Sequence, residues 1–513
     1  MNQISPNTDN PSILSYLSTL RHTWKVVTGN SLFIENAKAS YPAFVLFSLL
    51  NNTTKILHIL PDEDQALASF NELHSLNPQQ IFYFPALYLR NGEKHKYYEF
   101  NLQQRTSVLE QLSTASSCVI VTYYDAITEP VVQREIFSKQ QFIIHKQESI
   151  SYKFLLEFLN EYQFVRSEFV YFPGQYAVRG NIIDVYSYAN EYPIRIEFKN
   201  DTIERLSVFH PSTQMSFRNI DKASISPKIE ITPDSQVCLT KYLDSKDIIV
   251  IKDEKLFSDD FSYTEIPRIS KEEILKDIHR CKIIKYGLCN KESNAEIISV
   301  NILPQPLFSK RYDALAEHLY EHFQKGYKLF FVSTNKNQYK RLSQIIDDTL
   351  SQKNITLDHP IIELLNAEIN EGFIDNDNHY AFYTEHQVFE KYHPIKRKDK
   401  AEESNAALTL KDLIQLKPGD YVVHIDHGIG RFAGLHTIEV NGKKQEVIKL
   451  LYKNNDALFV NIHNLYRLSR FSGKDGHEPK IDQLGSQRWQ NLKQKIKSSV
   501  KTLAYDLIKL YAE

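Results

Sequence analysis

The sequence predicts a multidomain α/β protein, and three observations carry that prediction. The chain has 513 residues, more than one hydrophobic core fills, so several domains are expected. Short apolar runs alternate with amphipathic helical patterns over 12–135, 218–300 and 305–392, the mark of parallel sheets flanked by helices. That rhythm is broken by two β-rich stretches and by one long helical stripe. At 42% hydrophobic and 24% charged residues with net charge −2, the composition is that of an ordinary globular chain. It has no global basic field, so any nucleic-acid contact must come from a local patch.

The elements follow in order. Ile56–Leu60 is a buried-strand run closed by Pro61-Asp62, and Asp64–Leu73 a helix. Ile81–Phe84 is a second strand ended by Pro85, Leu102–Leu112 an amphipathic helix and Cys118–Thr122 a third strand. From 140 the pattern becomes β-rich. A helix over Ser151–Glu161 precedes strands at Tyr176–Tyr186, Ile194–Phe198 and Ile203–Phe209, with Asn200-Asp201 turning the last two. This reads as an α+β module at 140–217 inserted into an α/β domain whose two parts are 1–139 and 218–300. A further α/β domain spans 305–395, with helices at Arg311–Gln324 and Asn335–Asp347 around a Tyr327–Val332 strand. The charged stretch 396–410 is a linker. In 411–473, Pro418-Gly419, the glycines 428, 430 and 434, and Asn441-Gly442 punctuate short β-branched runs. A small β-barrel is expected there. Trp489, Leu492, Ile496, Val500, Leu503, Leu507 and Leu510 step by three and four, one stripe of a helix over 486–513. The pattern stops at Glu513 without a cap, so more sequence is expected to follow.

The constellations exclude more than they assign. No G-x-x-x-x-G-K-[ST] run is present. After the Ser31–Ile34 strand the chain reads Glu35-Asn-Ala-Lys-Ala-Ser-Tyr41, with no glycine for close phosphate approach and no Ser or Thr beside Lys38, so nucleotide hydrolysis is not expected. His424 and His427 lie three apart on a strand pattern, which would point their rings to opposite faces, so no metal is expected. The four cysteines form no C-x-x-C pair and read as buried thiols of a reducing compartment. Met1–Pro11 has no signal-peptide pattern, and the longest apolar stretch, Ala43–Leu50, is far short of the ~20 residues of a membrane span. A cytoplasmic protein without membrane contact is expected, and no residue is assigned a catalytic role.

Three patches remain. Arg179, before Gly180, and Arg195 fall on adjacent strands of the inserted module, with Arg195, Glu197 and Lys199 alternating against Ile194, Ile196 and Phe198. Two readings are open: pairing with an acid such as Asp184 or Glu197, or a face for a partner. The helix carries Lys493, Lys495 and Lys497 in a stretch free of acids, either a solvated face or a contact for DNA phosphates. The third is the glycine-rich stretch 417–435.

The segments G-Q-Y-A-V-R-G-N-I-I-D-V at 174–185 and D-T-I-E-R-L-S-V-F at 201–209 resemble the UvrB-homology module of bacterial transcription-repair coupling factors. K-P-G-D-Y-V-V-H-I-D-H-G-I-G-R-F-A-G-L at 417–435 and A-L-F-V-N-I-H-N-L-Y-R-L-S-R-F at 457–471 are similar to the RNA-polymerase-interacting domain that family shares with CarD regulators. The sequence 480–513 resembles the connecting helix of the family. The resemblance implies a UvrB-like domain with a degenerate nucleotide site, a UvrA-binding module, a CarD-like barrel, and a helix leading to a DNA translocase motor that would use ATP and magnesium. That motor is expected to follow residue 513, so these residues would lack translocation and need no cofactor. UvrA contacts carried over residue by residue fall on Arg179 and Arg195. A third, often aromatic in the family, is Lys199 here. Contact with the polymerase β subunit would be strand addition at Thr437, Ile438, Glu439 and Val440, with Ile438 central; a place for Ile438 in the barrel core stays open. Double-stranded DNA would be held mainly by the absent motor. The alternatives are a CarD-like regulator without a repair role and a UvrB-like damage-binding helicase.

Overall fold

The computed structural model describes residues 11–390, apart from 26–30, 51–52, 96, 212, 230–234, 259–266, 291–294, 309–310 and 356–358. Beyond these it describes 416–424, 427–440, 443–461, 468–470, 479 and 481–484. It is a multidomain α/β molecule that divides into two compact units near residue 397.

The first unit is built on a seven-stranded parallel sheet. Its spatial order is Glu296–Ser299, Ser31–Glu35, Lys282–Tyr286, Ile248–Lys252, Lys55–Leu60, Cys118–Tyr123 and Ile81–Phe84. Lys55–Leu60 and Cys118–Tyr123 are buried at every position, as continuous apolar runs covered on both faces must be. Strands from 31–123 and from 248–299 lie side by side in this sheet, so the chain leaves it and returns.

Between those two parts stands a six-stranded sheet ordered Ser216–Asn219, Thr202–Phe209, Ile194–Lys199, Ile182–Val185, Gln175–Arg179 and Val165–Arg166. The helix Tyr152–Glu161 covers one face. Its Leu155, Phe158 and Leu159 pack on Ile183, Val185, Ile196, Phe198 and Leu206. Asn200 turns the hairpin with φ 57°, a left-handed conformation that Asn tolerates. The chain enters through Phe142–His145 and leaves through Lys222–Ile225, and these two strands pair antiparallel. Ser216–Asn219 and this exit strand carry the module past residue 217.

A second α/β sheet, ordered Ile302–Pro304, Phe373–Asp375, Tyr380–Thr384, Lys328–Val332 and Ile362–Leu365, uses both of its faces. Phe331, Ala381 and Tyr383 point into its own core, with Leu315 and Leu319 of the helix Tyr312–Gln324 and Leu342 and Ile346 of the helix Lys336–Gln352. Phe330, Phe373, Tyr380 and Phe382 join the core of the parallel sheet. There they meet Tyr16 and Phe44, with ring centroids 4.5 Å apart for Tyr16–Tyr380 and 4.6 Å for Phe44–Phe382. Tyr16 also donates to Asp375 at 2.9 Å. Residues 305–390 and the first domain therefore share one continuous hydrophobic core. The helix Tyr41–Leu49 is apolar all round because it lies within that core.

The second unit is an antiparallel sheet ordered Ala457–Asn461, Lys443–Leu451, Gly428–Val440, Tyr421–His424 and Leu468–Arg470. The described strands form an open five-stranded sheet. Asn441 and Gly442 lie outside the described residues, and the strands they join pair Val440 with Lys443. Gly428 has φ +81°, and a Cβ there would sit 2.2 Å from the Asp482 carboxylate. The Asp482 carboxylate accepts from Ile429 N at 2.9 Å, and Asp482 N donates to Ile429 O at 2.9 Å. Gly428→Ala is expected to cost about 2 kcal/mol or more in urea unfolding. It should cost more than Gly419→Ala, whose φ is +105° with nothing within 4 Å; equal losses would show that the Asp482 contact contributes nothing.

Candidate functional site

The strand Ile194–Lys199 buries Ile194, Ile196 and Phe198, leaves Arg195 and Glu197 half-buried, and exposes Lys199 beside the Asn200 turn. In the neighbouring strand Asp184 stands opposite Arg195 on one side and Ala177 on the other. Its side chain is 0% exposed. Arg195 grips it with two hydrogen bonds, Nε to Oδ1 at 2.8 Å and Nη2 to Oδ2 at 3.0 Å. Arg179 Nη2 donates to the same Oδ2. Arg195 also reaches Ser216 Oγ at 3.5 Å. The Arg195 guanidinium lies over the Phe209 ring at 4.6 Å, and that of Arg179 near Phe169 at 5.5 Å. Both arginines thus share one buried counterion. Glu197 pairs instead with Arg205 at 3.6 Å. The two arginines still differ at the surface: Arg179 is 39% exposed and Arg195 16%. The sequence signal for Asp184 is a carboxylate set among Ile182, Ile183 and Val185 in a buried strand, where a charge needs a partner.

Thr437, Ile438, Glu439 and Val440 lie in the last part of the strand Gly428–Val440 and pair with Glu446, Gln445, Lys444 and Lys443. Nothing is described of their side chains. On the other edge of this strand, Tyr421–His424 covers only Gly428–Arg431. A bulge between Phe432 and Leu435, with Gly434 at φ +105°, interrupts the ladder. Phe432 still exchanges backbone hydrogen bonds with Gly419 and Asp420, both at 2.8 Å; from Ala433 to Val440 that second edge has no partner strand among the described residues. Leu435 at its start is 49% exposed. Lys493, Lys495, Lys497 and the connecting helix lie outside the described residues.

At the end of the Ser31–Glu35 strand, the loop that would cradle phosphate takes another role. Asn36 and Ala39 adopt positive φ, 62° and 51°. Ser40 Oγ donates to the buried Glu72 carboxylate and accepts from Glu371 N at 3.0 Å. Asn370 N donates to Glu72 Oε1 at 2.6 Å. The start of the Tyr41–Leu49 helix is therefore engaged by the 370–371 segment. Nearby, Lys285 holds the buried Glu254 at 3.0 Å, and Asp253 Oδ1 accepts from Leu288 N at 2.7 Å. Burial pushes the Glu72 carboxyl up to about 7, against the hydrogen bonds from Ser40 and Asn370 that favour its charge. A raised carboxyl lends stability that is complete below the unfolded value near 4.5 and lost as pH rises through about 7. Glu72→Gln is accordingly expected to raise the melting temperature by about 2–4 °C at pH 8 and to leave it near wild type at pH 5. A gain of equal size at both values would remove Glu72 as the titrating group.

His424 is buried and its ring centroid lies 4.7 Å from that of His427. The expected opposite facing is not found, because the strand ends at His424 and alternation stops there. Among the described residues no group of three or more His, Cys, Asp or Glu side chains could hold a metal ion. All four cysteines are buried thiols. Among the described residues no helix is long and apolar enough to cross a membrane.

Two family models match the chain. The UvrB interaction domain covers residues 142–230 and therefore the arginine face. The CarD-like/TRCF RID domain covers 416–472 and therefore the strand edge that has no partner among the described residues. The relatives agree. The transcription-repair-coupling factor of Bacillus subtilis is 25% identical over 80% of this chain and 42% of its own length. That of Borreliella burgdorferi is 23% identical over 98% and 49%, and that of Staphylococcus haemolyticus 22% over 88% and 47%. Over 80–98% of its length the chain is similar to transcription-repair-coupling factors. It spans about half the length of the curated relatives it matches. The inserted six-stranded module lies within the match to the UvrB interaction domain, and the second unit contains the match to the CarD-like/TRCF RID domain.

Proposed function

We propose that the chain is a docking adaptor of transcription-coupled DNA repair, holding RNA polymerase through one sheet edge and UvrA through one sheet face. The observation that carries this reading is the presence in one chain of both matched modules, each with an accessible surface of the right kind. The Ala433–Val440 edge, which has no partner strand among the described residues, suits addition of a strand from the polymerase β subunit, because unpaired N–H and C=O groups are a template for a further strand. The Arg179–Arg195 face suits an acidic surface of UvrA. Nucleotide chemistry is assigned to a motor outside these residues. The Ser40–Glu72–Asn370 contact and the Lys285–Glu254 pair support that assignment, since both occupy the end of the sheet where nucleotide and magnesium would bind. Contact with double-stranded DNA is assigned to the same motor, with Lys493, Lys495 and Lys497 as the candidates within residues 1–513.

The test is a bridging assay with purified components. Immobilised RNA polymerase should retain UvrA only when this chain is added, and the chain alone should capture each partner separately. Folded chain that retains neither partner, or that hydrolyses ATP unaided, would refute the reading.

A further inference from the structure

We infer that Asp184 is a positioning residue for the arginine face, locking Arg179 and Arg195 into one preorganised unit that reads an acidic group on the partner. The inference rests on the reading that this face binds UvrA, and it adds a residue that touches no partner. Asp184 is 0% exposed, so it acts only through the two side chains it holds. Two arginines and one carboxylate leave a net charge of +1. The unit therefore stays attractive to an acidic surface after the internal pairing is complete. The division of donors is unequal. Arg195 spends Nε and Nη2 on Asp184 and reaches Ser216 with Nη1. Arg179 spends one N–H group on Asp184 and is 39% exposed. A guanidinium carries five donors in a fixed fork, so Arg179 is the group that presents donors outward, and Arg195 is the rigid base beneath it. Phe169 and Phe209 flank the two guanidinium groups and limit their other rotamers. Fixing a long, rotamer-rich side chain before the partner arrives lowers the ordering cost of binding.

The experiment measures the affinity of the full chain for purified UvrA with four proteins: wild type, Arg179→Ala, Asp184→Asn and the double variant. Asp184→Asn keeps size and one acceptor but removes the charge that binds both arginines. It is expected to weaken UvrA binding about tenfold in the wild-type background and to add little once Arg179 is gone, since both changes then act on one contact. A residue that merely supported the sheet would lower the melting temperature and leave affinity unchanged. Asp184→Asn with wild-type affinity overturns the inference, as do losses that simply multiply in the double variant. If Asp184→Asn does not fold, Asp184→Glu keeps the charge and shifts the carboxylate by one methylene. A similar loss is expected there, and retained affinity overturns the inference. Wild-type chain that fails to bind UvrA refutes the docking reading itself, and this inference falls with it.

Discussion

Arg195→Ala is expected to destabilise the first unit by about 3–5 kcal/mol, because it strips a fully buried carboxylate of its two-point partner. The Asp184 side chain has no exposure to water, and Arg195 supplies two of its three arginine hydrogen bonds. Arg179→Ala leaves that two-point grip in place. Its cost should be about 1 kcal/mol, in the range of a partly exposed pair. For UvrA affinity the ranking reverses: Arg179, 39% exposed against 16% for Arg195, should lose the more binding per unit of stability lost. Urea unfolding of both variants, followed by affinity measurement well below the transition, separates the two quantities. Equal loss of stability would remove the distinction between reader and base.

The second large effect is expected in the strand proposed to bind polymerase. Ile438→Asp should weaken binding to the polymerase β subunit by about 100-fold or more, the scale of an interface hot spot, while the sheet of the second unit stays folded. The strand is paired on one edge from Leu435 to Val440, and its other edge has no described partner. A charge placed at the centre of an added strand would have to be desolvated beside its partner. Circular dichroism and melting of the variant decide between the two readings left open for this position. Lost binding with an intact melt makes Ile438 a contact, and a collapsed melt makes it core.

Both sites show what a single sequence reveals. The parallel sheet is legible because Ile56–Leu60 and Cys118–Thr122 are predominantly apolar runs without alternation, and such runs occur where both faces are covered. The inserted module is legible because its strands switch to strict alternation at Ile194–Lys199. The arginine pair is equally visible, but the choice of counterion is not. Asp184 and Glu197 both neighbour Arg195 in sequence pattern, and only the cross-strand register places Asp184 opposite it. The place of residues 305–392 is hidden for a similar reason. Phe330 and Phe331 are adjacent and identical, yet one enters the core shared with the first domain and the other its own sheet's core. Periodicity cannot assign two apolar faces to two neighbours. Nor could local pattern bring Glu371 onto Ser40, a contact between residues 331 positions apart. The edge proposed for polymerase is readable only as a family resemblance, because an open edge is defined by where its neighbour stops, and the neighbouring segment bonds no further than Phe432.

The antiparallel pairing of Phe142–His145 with Lys222–Ile225 has a consequence beyond architecture. The two chain crossings between module and parent sheet run side by side, about 5 Å apart as paired strands are, so the polypeptide enters and leaves the six-stranded sheet at one place. Such a cassette is modular in the genetic sense. A lineage could gain it, lose it or exchange it for another sheet through one local splice, without altering the register of any strand in the parallel sheet, and selection could reshape its outer face while the host remained unchanged.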